Sequence, residues 1–266
     1  MNNFCREKKV YCGKNYREVD LFVYSSAQAI RAKQRRGKRE KISAPKQKNL
    51  NDKNARRYFE QLLKTNCDSS WLSLTCTYSR SSLPATLEEA KREMNNYLRR
   101  LKALYKKHGL PFKYIAVTTD TSAKDGSPAR IHHHILVNGG IDRDLIESVW
   151  SKRRKKIGTV NADRLDMDAV ESLCEYLKKQ QQRGNGKKGW VSSHNLKKPE
   201  TTPPRDGKYS ISRIEKLARL PVDCEEVRRF FETQNKNFSA TSIVKTYNPV
   251  TGFWAFTVKM KREGIK

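Results

Sequence analysis

Three of the five histidines in this 266-residue chain stand side by side, at His132, His133 and His134. They lie within residues 129–138, a run of β-branched and apolar residues that predicts a β-strand ended by the glycine pair at 139–140. Residues two apart in a strand point the same way, so His132 and His134 share one face and His133 points to the other. Two imidazoles about 6–7 Å apart on one pleat can bind a single divalent cation. A half-buried strand with histidines placed by chance is the alternative interpretation.

A second reactive residue, Tyr176, lies 42 residues beyond His134, on a helix predicted from Asp168 to about residue 182. Lys179 follows one helical turn later, so a phenol and an ammonium group lie on neighbouring positions of the helix surface. A tyrosine hydroxyl is a nucleophile when its surroundings favour the phenolate. Alone, this Tyr-x-x-Lys pattern is weak, because a partly buried tyrosine on an amphipathic helix is common. Ser172 and Gln180 occupy the adjoining stripe, so the helix offers one tyrosine nucleophile.

The elements that must position these residues alternate from Trp71 onward. The sequence predicts strands at 71–78, 112–119, 129–138 and 157–162, and helices at 86–108, 142–150 and 168–182. Thr86 and Glu89 form a capping box at the start of the first helix. The order β-α-β-β-α-β with a further helix predicts an α+β fold with an antiparallel central sheet of ferredoxin-like or RNA-recognition-like type.

The two ends of the chain are predicted to be accessory to this core. Residues 1–66 are expected to form a basic arm, densest between 31 and 48, and a helix over 51–65; the arm either settles on phosphate or is a solubilising loop. Residues 67–183 would be the core, and residues 184–266 a C-terminal region of two helices and a terminal β-hairpin. This last region could bind a partner or serve only for packing.

The charge balance points to a nucleic-acid partner. Lys and Arg number 56 against 28 Asp and Glu, which gives a net charge of +28 and a pI near 10.0. No apolar run reaches the ~20 residues of a spanning helix, so no membrane role is expected. The six cysteines form no Cys-x-x-Cys pair, which favours reduced thiols in a reducing cytoplasm. No phosphate-binding Walker loop occurs, so the sequence offers no ATPase motif of its own.

Taken together, these motifs resemble the HUH endonucleases of rolling-circle replication, specifically the single-tyrosine initiators of bacterial plasmids, phages and related mobile elements. The resemblance rests on Leu74–Tyr78, Arg130–Gly140 and Tyr176–Lys179, in that order, and extends to the segment Trp190–Glu200. It implies a metal-dependent enzyme that nicks single-stranded or hairpin origin DNA, leaves a 5′-phosphotyrosyl link and a free 3′-OH for a replicative polymerase, and later rejoins the strand. It also implies a host helicase as a partner, since the chain has no Walker loop, and the C-terminal region would then recognise an origin duplex, contact the helicase or serve only for packing.

The resemblance also assigns roles to residues. His132 and His134 would hold Mg²⁺ or Mn²⁺, Tyr176 would attack the phosphate, and Lys179 would stabilise the phenolate or the outer shell of the metal. The family often takes a third ligand from a position matching Thr119; the adjacent Asp120 is predicted instead, with Asp125 as a weaker substitute. The residues predicted to contact DNA are Thr75, Thr77, Arg130, Lys152, Arg153, Arg154 and Lys155.

Other functions remain open at this stage. Mobilisation relaxases usually carry their tyrosine upstream of the histidines, and single-tyrosine transposases are usually shorter than this chain. A basic, non-catalytic module with an RNA-recognition-like sheet is the alternative from another class, and it should show exposed aromatic residues for base stacking. Closing a circle with one helix tyrosine would need a water, a second subunit in a homodimer on DNA, or another tyrosine.

Overall fold

The computed structural model describes residues 3–26, 28, 30, 45–122, 127–153, 155–167, 170–179, 189–249 and 251–264. The chain divides into two compact units. The central unit comprises residues 56–197, and the flanking unit comprises residues 1–55 together with 198–266. The predicted basic run at 31–44 lies outside the described residues, as do Asp125, Arg154 and Gln180.

The elements follow one another in this order: β1 (Asn3–Cys12), β2 (Tyr16–Ser25), α1 (Pro45–Asn66), β3 (Leu72–Thr77), α2 (Leu87–Lys107), β4 (Tyr114–Thr121), β5 (Pro128–Val137), α3 (Arg143–Ser148), β6 (Ser151–Lys152), β7 (Lys155–Lys156), β8 (Val160–Arg164), α4 (Val170–Lys179), β9 (Val191–Ser192), β10 (Glu200–Thr201), β11 (Arg205–Asp206), α5 (Ile211–Arg219), α6 (Glu225–Thr233), β12 (Phe238–Asn248) and β13 (Phe253–Arg262).

The central unit is built on a five-stranded antiparallel sheet with the strand order β8-β3-β5-β4-β9. The histidine strand β5 is its middle strand. Its register places Thr75 and Val117 on either side of His134, and Thr77 and Thr119 on either side of His132. The mixed α+β class and the antiparallel sheet predicted from the sequence are therefore confirmed.

One face of this sheet carries the main hydrophobic core, against α2 and α3. The helix α2 begins where predicted, because the Thr86 hydroxyl accepts a hydrogen bond from the backbone N–H of Glu89. The core on this face is formed mainly by Leu74, Cys76, Met94, Tyr97, Leu101, Tyr105, Ala116, Ile135, Val137 and Trp150, all buried. Burying this much aromatic and aliphatic surface fixes the strands that carry the histidines.

The opposite face carries the predicted site residues and is covered in part by α4. Ile115, Val117 and Leu136 on this face are buried, as are Cys174 and Leu177 on α4. The strand parity predicted from the sequence therefore holds, since His133 lies in the core on one side and His134 meets α4 on the other.

The flanking unit is a second antiparallel sheet that joins distant parts of the chain. Its order is β10-β1-β2-β13-β12, with β11 also paired to β1. Helices α5 and α6 supply most of its core together with Cys5, Leu21, Phe238, Phe256 and Val258. The sequence predicts only one short strand before residue 30 and a terminal hairpin; the hairpin is present, but two full strands precede it.

Basic residues that the sequence predicts to contact DNA lie on a short pair of strands after α3. Strands β6 and β7 pair as a small hairpin, and Arg153 at its turn has a φ of 49°. The next strand, β8, begins at Val160 rather than at Ile157. Among the residues that the structure describes, no helix is both long and apolar enough to span a membrane.

Candidate functional site

Tyr176 and the two histidines of one strand face meet on the surface of the central sheet. The Tyr176 hydroxyl lies 3.3 Å from Nε2 of His134, and the two rings meet edge to face with centroids 5.1 Å apart. The His132 and His134 rings are also edge to face, with centroids 4.9 Å apart. Tyr176 is 39 % exposed, so its side chain contacts His134 and remains partly accessible to solvent.

His132 is oriented by its own strand. Its Nδ1 lies 2.8 Å from the backbone carbonyl oxygen of Arg130, which can only accept. Nδ1 therefore carries the proton, and the lone pair of the neutral ring is on Nε2. Metal-binding histidines usually have this arrangement, in which a carbonyl fixes the tautomer and leaves the other nitrogen available to bind.

His134 is held neutral by its surroundings. It is almost completely buried, and burial together with the neighbouring His132 lowers its pKa to about 4. Its Nδ1 lies 3.4 Å from the Thr75 hydroxyl on β3, a long contact that orients the ring from the next strand. A neutral imidazole at physiological pH is the form that can donate a lone pair to a cation.

His133 has a structural role on the other face. Its Nε2 lies 2.6 Å from the Tyr78 hydroxyl, and its Nδ1 lies 2.9 Å from the Thr118 hydroxyl. The Thr118 hydroxyl donates to the sulfur of Met94, so His133 Nδ1–H donates to Thr118 and Tyr78 donates to Nε2. Burial lowers the pKa of His133 to about 3. The middle histidine thus anchors the strand between its two neighbours.

The third ligand predicted from the sequence is not brought into this cluster. Asp120 is half-buried near the end of β4, where the pairing with β5 shifts register between Thr119 and Thr121. Thr119 is buried, and its hydroxyl accepts from the backbone N–H of Thr121. No group of three or more His, Cys, Asp or Glu residues that could hold a metal is found within the described ranges. The structure therefore brings together two imidazoles, and Asp120 as a ligand stays a prediction.

One comparison with known proteins bears on this geometry. Residues 70–181 match the sequence model of the replication-associated protein ORF2 family. The match covers less than half of the chain, from just before β3 to just after α4, and is consistent with a rolling-circle replication protein. No curated protein and no solved structure matches the chain.

The segment that matches this replication-associated family contains the whole cluster. It includes Thr75, His132, His134 and Tyr176, and also Lys179, whose backbone lies in the last turn of α4 while its side chain is outside the description. The match thus links the Tyr176–His134 contact to a replication-associated sequence family.

The residues predicted to contact DNA fall into two groups. Thr75, Thr77 and Arg130 lie beside the histidines: Thr75 contacts His134, Arg130 supplies the carbonyl that orients His132, and Thr77 is the cross-strand neighbour of His132. Lys152, Arg153 and Lys155 lie on the β6–β7 hairpin and are exposed. The first group adjoins the two histidines, and the second places exposed basic side chains on a short hairpin.

Several supporting residues are missed by the motif pattern. Thr159 shares a short hydrogen bond with the Thr77 hydroxyl, 2.6 Å between the oxygens, and Tyr78 and Thr118 bind His133. Gly158 lies so close to β3 that a Cβ atom would sit 1.8 Å from the Thr77 carbonyl oxygen. Only the position of Tyr78, at the end of the first motif, gave a signal in the sequence; the others depend on strand pairing.

Proposed function

We propose that this protein is a rolling-circle replication initiator that nicks single-stranded or extruded origin DNA with Tyr176, as a single-tyrosine member of the HUH endonucleases. The observation that carries the proposal is the 3.3 Å approach of the Tyr176 hydroxyl to His134 Nε2, on the strand face that also holds His132. The family match over residues 70–181 supports a role in replication. The strand order β8-β3-β5-β4 supports a ferredoxin-like core.

The proposed reaction transfers a phosphodiester from DNA to the phenol. The Tyr176 oxygen forms a bond to phosphorus, the bond to the O3′ of the preceding nucleotide breaks, and the phenol gives up its proton. The products are a 5′-phosphotyrosyl link and a free 3′-OH, which can prime synthesis by a replicative polymerase. Attack by that 3′-OH on the phosphotyrosine reverses the step and rejoins the strand, so no external energy source is needed.

Two neutral imidazoles fit a divalent cation such as Mn²⁺ or Mg²⁺, with Mn²⁺ the better match for nitrogen ligands. His132 offers Nε2 because Nδ1 is committed to the Arg130 carbonyl, and His134 is neutral because it is buried. A cation bound there would polarise a phosphate oxygen as a Lewis acid. Thr75 orients His134, and Lys179, one turn from Tyr176, is proposed to stabilise the phenolate.

The first prediction concerns the nucleophile. Tyr176→Phe removes one oxygen atom and should abolish the covalent protein–DNA adduct, because that oxygen is the atom that attacks the phosphorus. The adduct is measured as a band of reduced mobility after incubation of an origin hairpin with Mn²⁺ and denaturation. Tyr58→Phe is the matched control, since Tyr58 is a similarly exposed helical tyrosine in the same unit, and it should leave the band unchanged.

Salt-sensitive DNA binding should survive in Tyr176→Phe, since a phenol hydroxyl contributes little to phosphate neutralisation. An unchanged adduct in Tyr176→Phe would remove this residue from its role. Loss of DNA binding as well would show that the substitution had damaged the fold rather than the chemistry.

The second prediction concerns the cation. His132→Ala and His134→Ala should each reduce adduct formation at least about 100-fold, and addition of EDTA to the unaltered protein should have the same effect. Added Mn²⁺ should restore the EDTA-treated protein but neither variant at equal concentration. Full activity in EDTA would contradict a metal-dependent reaction while leaving a tyrosine nickase possible.

A non-catalytic DNA-binding protein is the second candidate function. It is favoured by one observation, that the described residues contain no third metal-ligating side chain beside the two histidines. Binding of the origin hairpin with no adduct under any divalent cation would support this candidate over the nickase.

A further inference from the structure

A cleft unrelated to the histidine cluster opens at the edge of the central sheet. Its volume is about 510 Å³, and it lies between helix α2 and the segment 193–195 that follows the edge strand β9. Clefts of this size, within the range of about 300–1,000 Å³, hold small organic ligands in other proteins. This segment belongs to the Trp190–Glu200 motif, which has no role in the reaction proposed above.

The segment is held rigidly by the neighbouring strand. The Ser193 N–H donates to the Tyr114 carbonyl at 3.0 Å, and the Tyr114 N–H donates to the Ser193 hydroxyl at 3.1 Å. The Asn195 side chain donates to the Phe112 carbonyl at 3.1 Å. These three bonds fix the backbone on both sides of His194, whose exposed imidazole lines the cleft.

The cleft has an aromatic wall. The Phe112 and Tyr114 rings are stacked, with centroids 5.2 Å apart and planes inclined by only 29°. Both rings line the cleft with Leu98 of α2. The two rings stack on each other, and Phe112 also meets the Tyr105 ring with centroids 4.8 Å apart, so a nucleobase in the cleft would extend an existing aromatic stack, regardless of base identity.

Two basic side chains line the same cleft. Arg99 and Lys102 lie three residues apart on α2, are exposed, and line the same cleft. Within the described part of the chain, neither forms an ion pair with a carboxylate; Arg99 contacts only the amide of Asn96. An aromatic stack and two cations that line the same cleft are complementary to a base joined to a phosphate.

We propose that this cleft binds one unpaired nucleotide of a DNA strand. The base would stack on Phe112 and Tyr114, the phosphate would contact Arg99 and Lys102, and His194 would reach the polar edge of the base. The choice of DNA rests on the proposed function. Tyr114 lies three residues along β4 from Val117, which is opposite His134, so the cleft is about 10 Å further along the strand and on the other face. It therefore holds a nucleotide other than the one that is cut.

The test compares two double variants on the same helix, each made in the Tyr176→Phe background so that binding is measured without cleavage. Arg99→Gln with Lys102→Gln removes two cations from the cleft. Arg92→Gln with Lys106→Gln removes the same two side-chain types from exposed positions outside it. The readout is the affinity for a fluorescent oligothymidylate over a range of salt concentrations.

The cleft pair should lower the slope of log affinity against log salt by about 1.4, since each lost single-strand phosphate contact contributes roughly 0.7. The control pair should lower it by less than half as much. Equal losses in the two pairs, or no loss in either, would overturn the proposal; the second result is also what a cleft that binds a protein partner would give.

A second measurement examines the stacking wall. Phe112→Leu keeps an apolar side chain but removes the ring, and should weaken oligothymidylate binding about fivefold or more. Because Phe112 also packs on Tyr105, binding is measured well below the melting temperature of the variant, where the variant is folded. Photo-crosslinking of an iodouracil-substituted strand should label peptides that contain residues 112–114 or 193–195. Crosslinks confined to other peptides would contradict the proposal.

Failure of the cleft proposal can be distinguished from failure of the nickase proposal. A protein that forms the Tyr176 adduct but shows equal losses in both charge pairs retains the proposed function and loses the cleft site. A protein that forms no adduct but loses binding only in the cleft pair retains a nucleotide site and loses the nickase.

Discussion

At the residue scale, the arrangement around His133 explains how three consecutive histidines can have two different roles. His133 accepts a hydrogen bond from Tyr78 and donates one to Thr118 inside the core, so its ring cannot rotate. A strand anchored at its middle residue presents the residues on either side at fixed angles on the opposite face. The core histidine therefore helps to position His132 and His134 from the opposite face of the sheet.

This role leads to a stability prediction for Tyr78. Tyr78→Phe removes the donor to His133 Nε2 and leaves a buried acceptor without a partner, so the free energy of unfolding should fall by about 1–3 kcal/mol. Urea unfolding followed by circular dichroism measures the change. Tyr58→Phe, on an exposed ring, should change the stability by less than about 0.5 kcal/mol. Equal stability of the two variants would contradict a buried hydrogen bond at Tyr78.

The sequence alone predicts those features of the site that follow from the alternation of side chains along a strand. The separation of His132 and His134 from His133 follows from the period of two, and the structure confirms it. The contact of Tyr176 with His134 could be predicted only from the resemblance to a family, because no local pattern relates residues that are 42 positions apart. Thr118 and Thr159 were not predicted, since their partners are set by the register between strands.

At the element scale, Gly158 shows how closely β3 and the loop before β8 approach. A Cβ on this residue would lie 1.8 Å from the Thr77 carbonyl oxygen, and the same carbonyl accepts a hydrogen bond from the Trp150 indole at 2.9 Å. The loop cannot move away without breaking the pairs that Thr77 and Ser79 make with it. Only glycine fits this position.

Gly158→Ala is therefore expected to be strongly destabilising, by about 3 kcal/mol or more, through overpacking of a backbone contact. Gly109→Ala is the matched control: nothing lies within 4 Å of its added Cβ, and its φ of 68° alone should cost about 1–2 kcal/mol. Thermal or urea unfolding distinguishes the two. A Gly158→Ala protein as stable as Gly109→Ala would show that the loop has room to shift.

The main helices and strands of the central unit were predictable because their apolar residues recur with a regular helical or strand period. Strand β1 was not predictable in this way. The positions of β1 that face α5 and α6 include Cys5, Glu7 and Lys9, so the strand lacks an apolar alternation. Glu7 is buried there because it meets the Tyr209 hydroxyl and the ammonium groups of Lys9 and Lys208. The partners of this carboxylate come largely from the far end of the chain, and no local pattern could have indicated them.

At the scale of the whole molecule, the cysteines can report on the two units separately. Cys5 and Cys12 are buried in the flanking unit, and Cys67, Cys76 and Cys174 are buried in the central unit. Burial raises the pKa of Cys5 to about 11, so at neutral pH it is an unreactive thiol. Cys224 is partly exposed.

Iodoacetamide should therefore label Cys224 first in the native protein. In increasing urea, the two thiols of the flanking unit should become reactive at one shared midpoint, and the three of the central unit at another shared midpoint, because each set is released by unfolding of its own core. Peptide mass spectrometry gives the labelled fraction at each site. Different midpoints for Cys5 and Cys12 would contradict a single cooperative flanking unit.

The pairing of β2 with β13 has a consequence for biosynthesis. The β1–β2 hairpin is synthesised before the central unit, and the strand that covers its edge is made more than two hundred residues later. A lone two-stranded hairpin is marginally stable in water, and its uncovered edge can recruit other chains. The central unit can mature during this interval, so the nascent chain depends on rapid completion, or on a chaperone, to keep its first strands from pairing elsewhere.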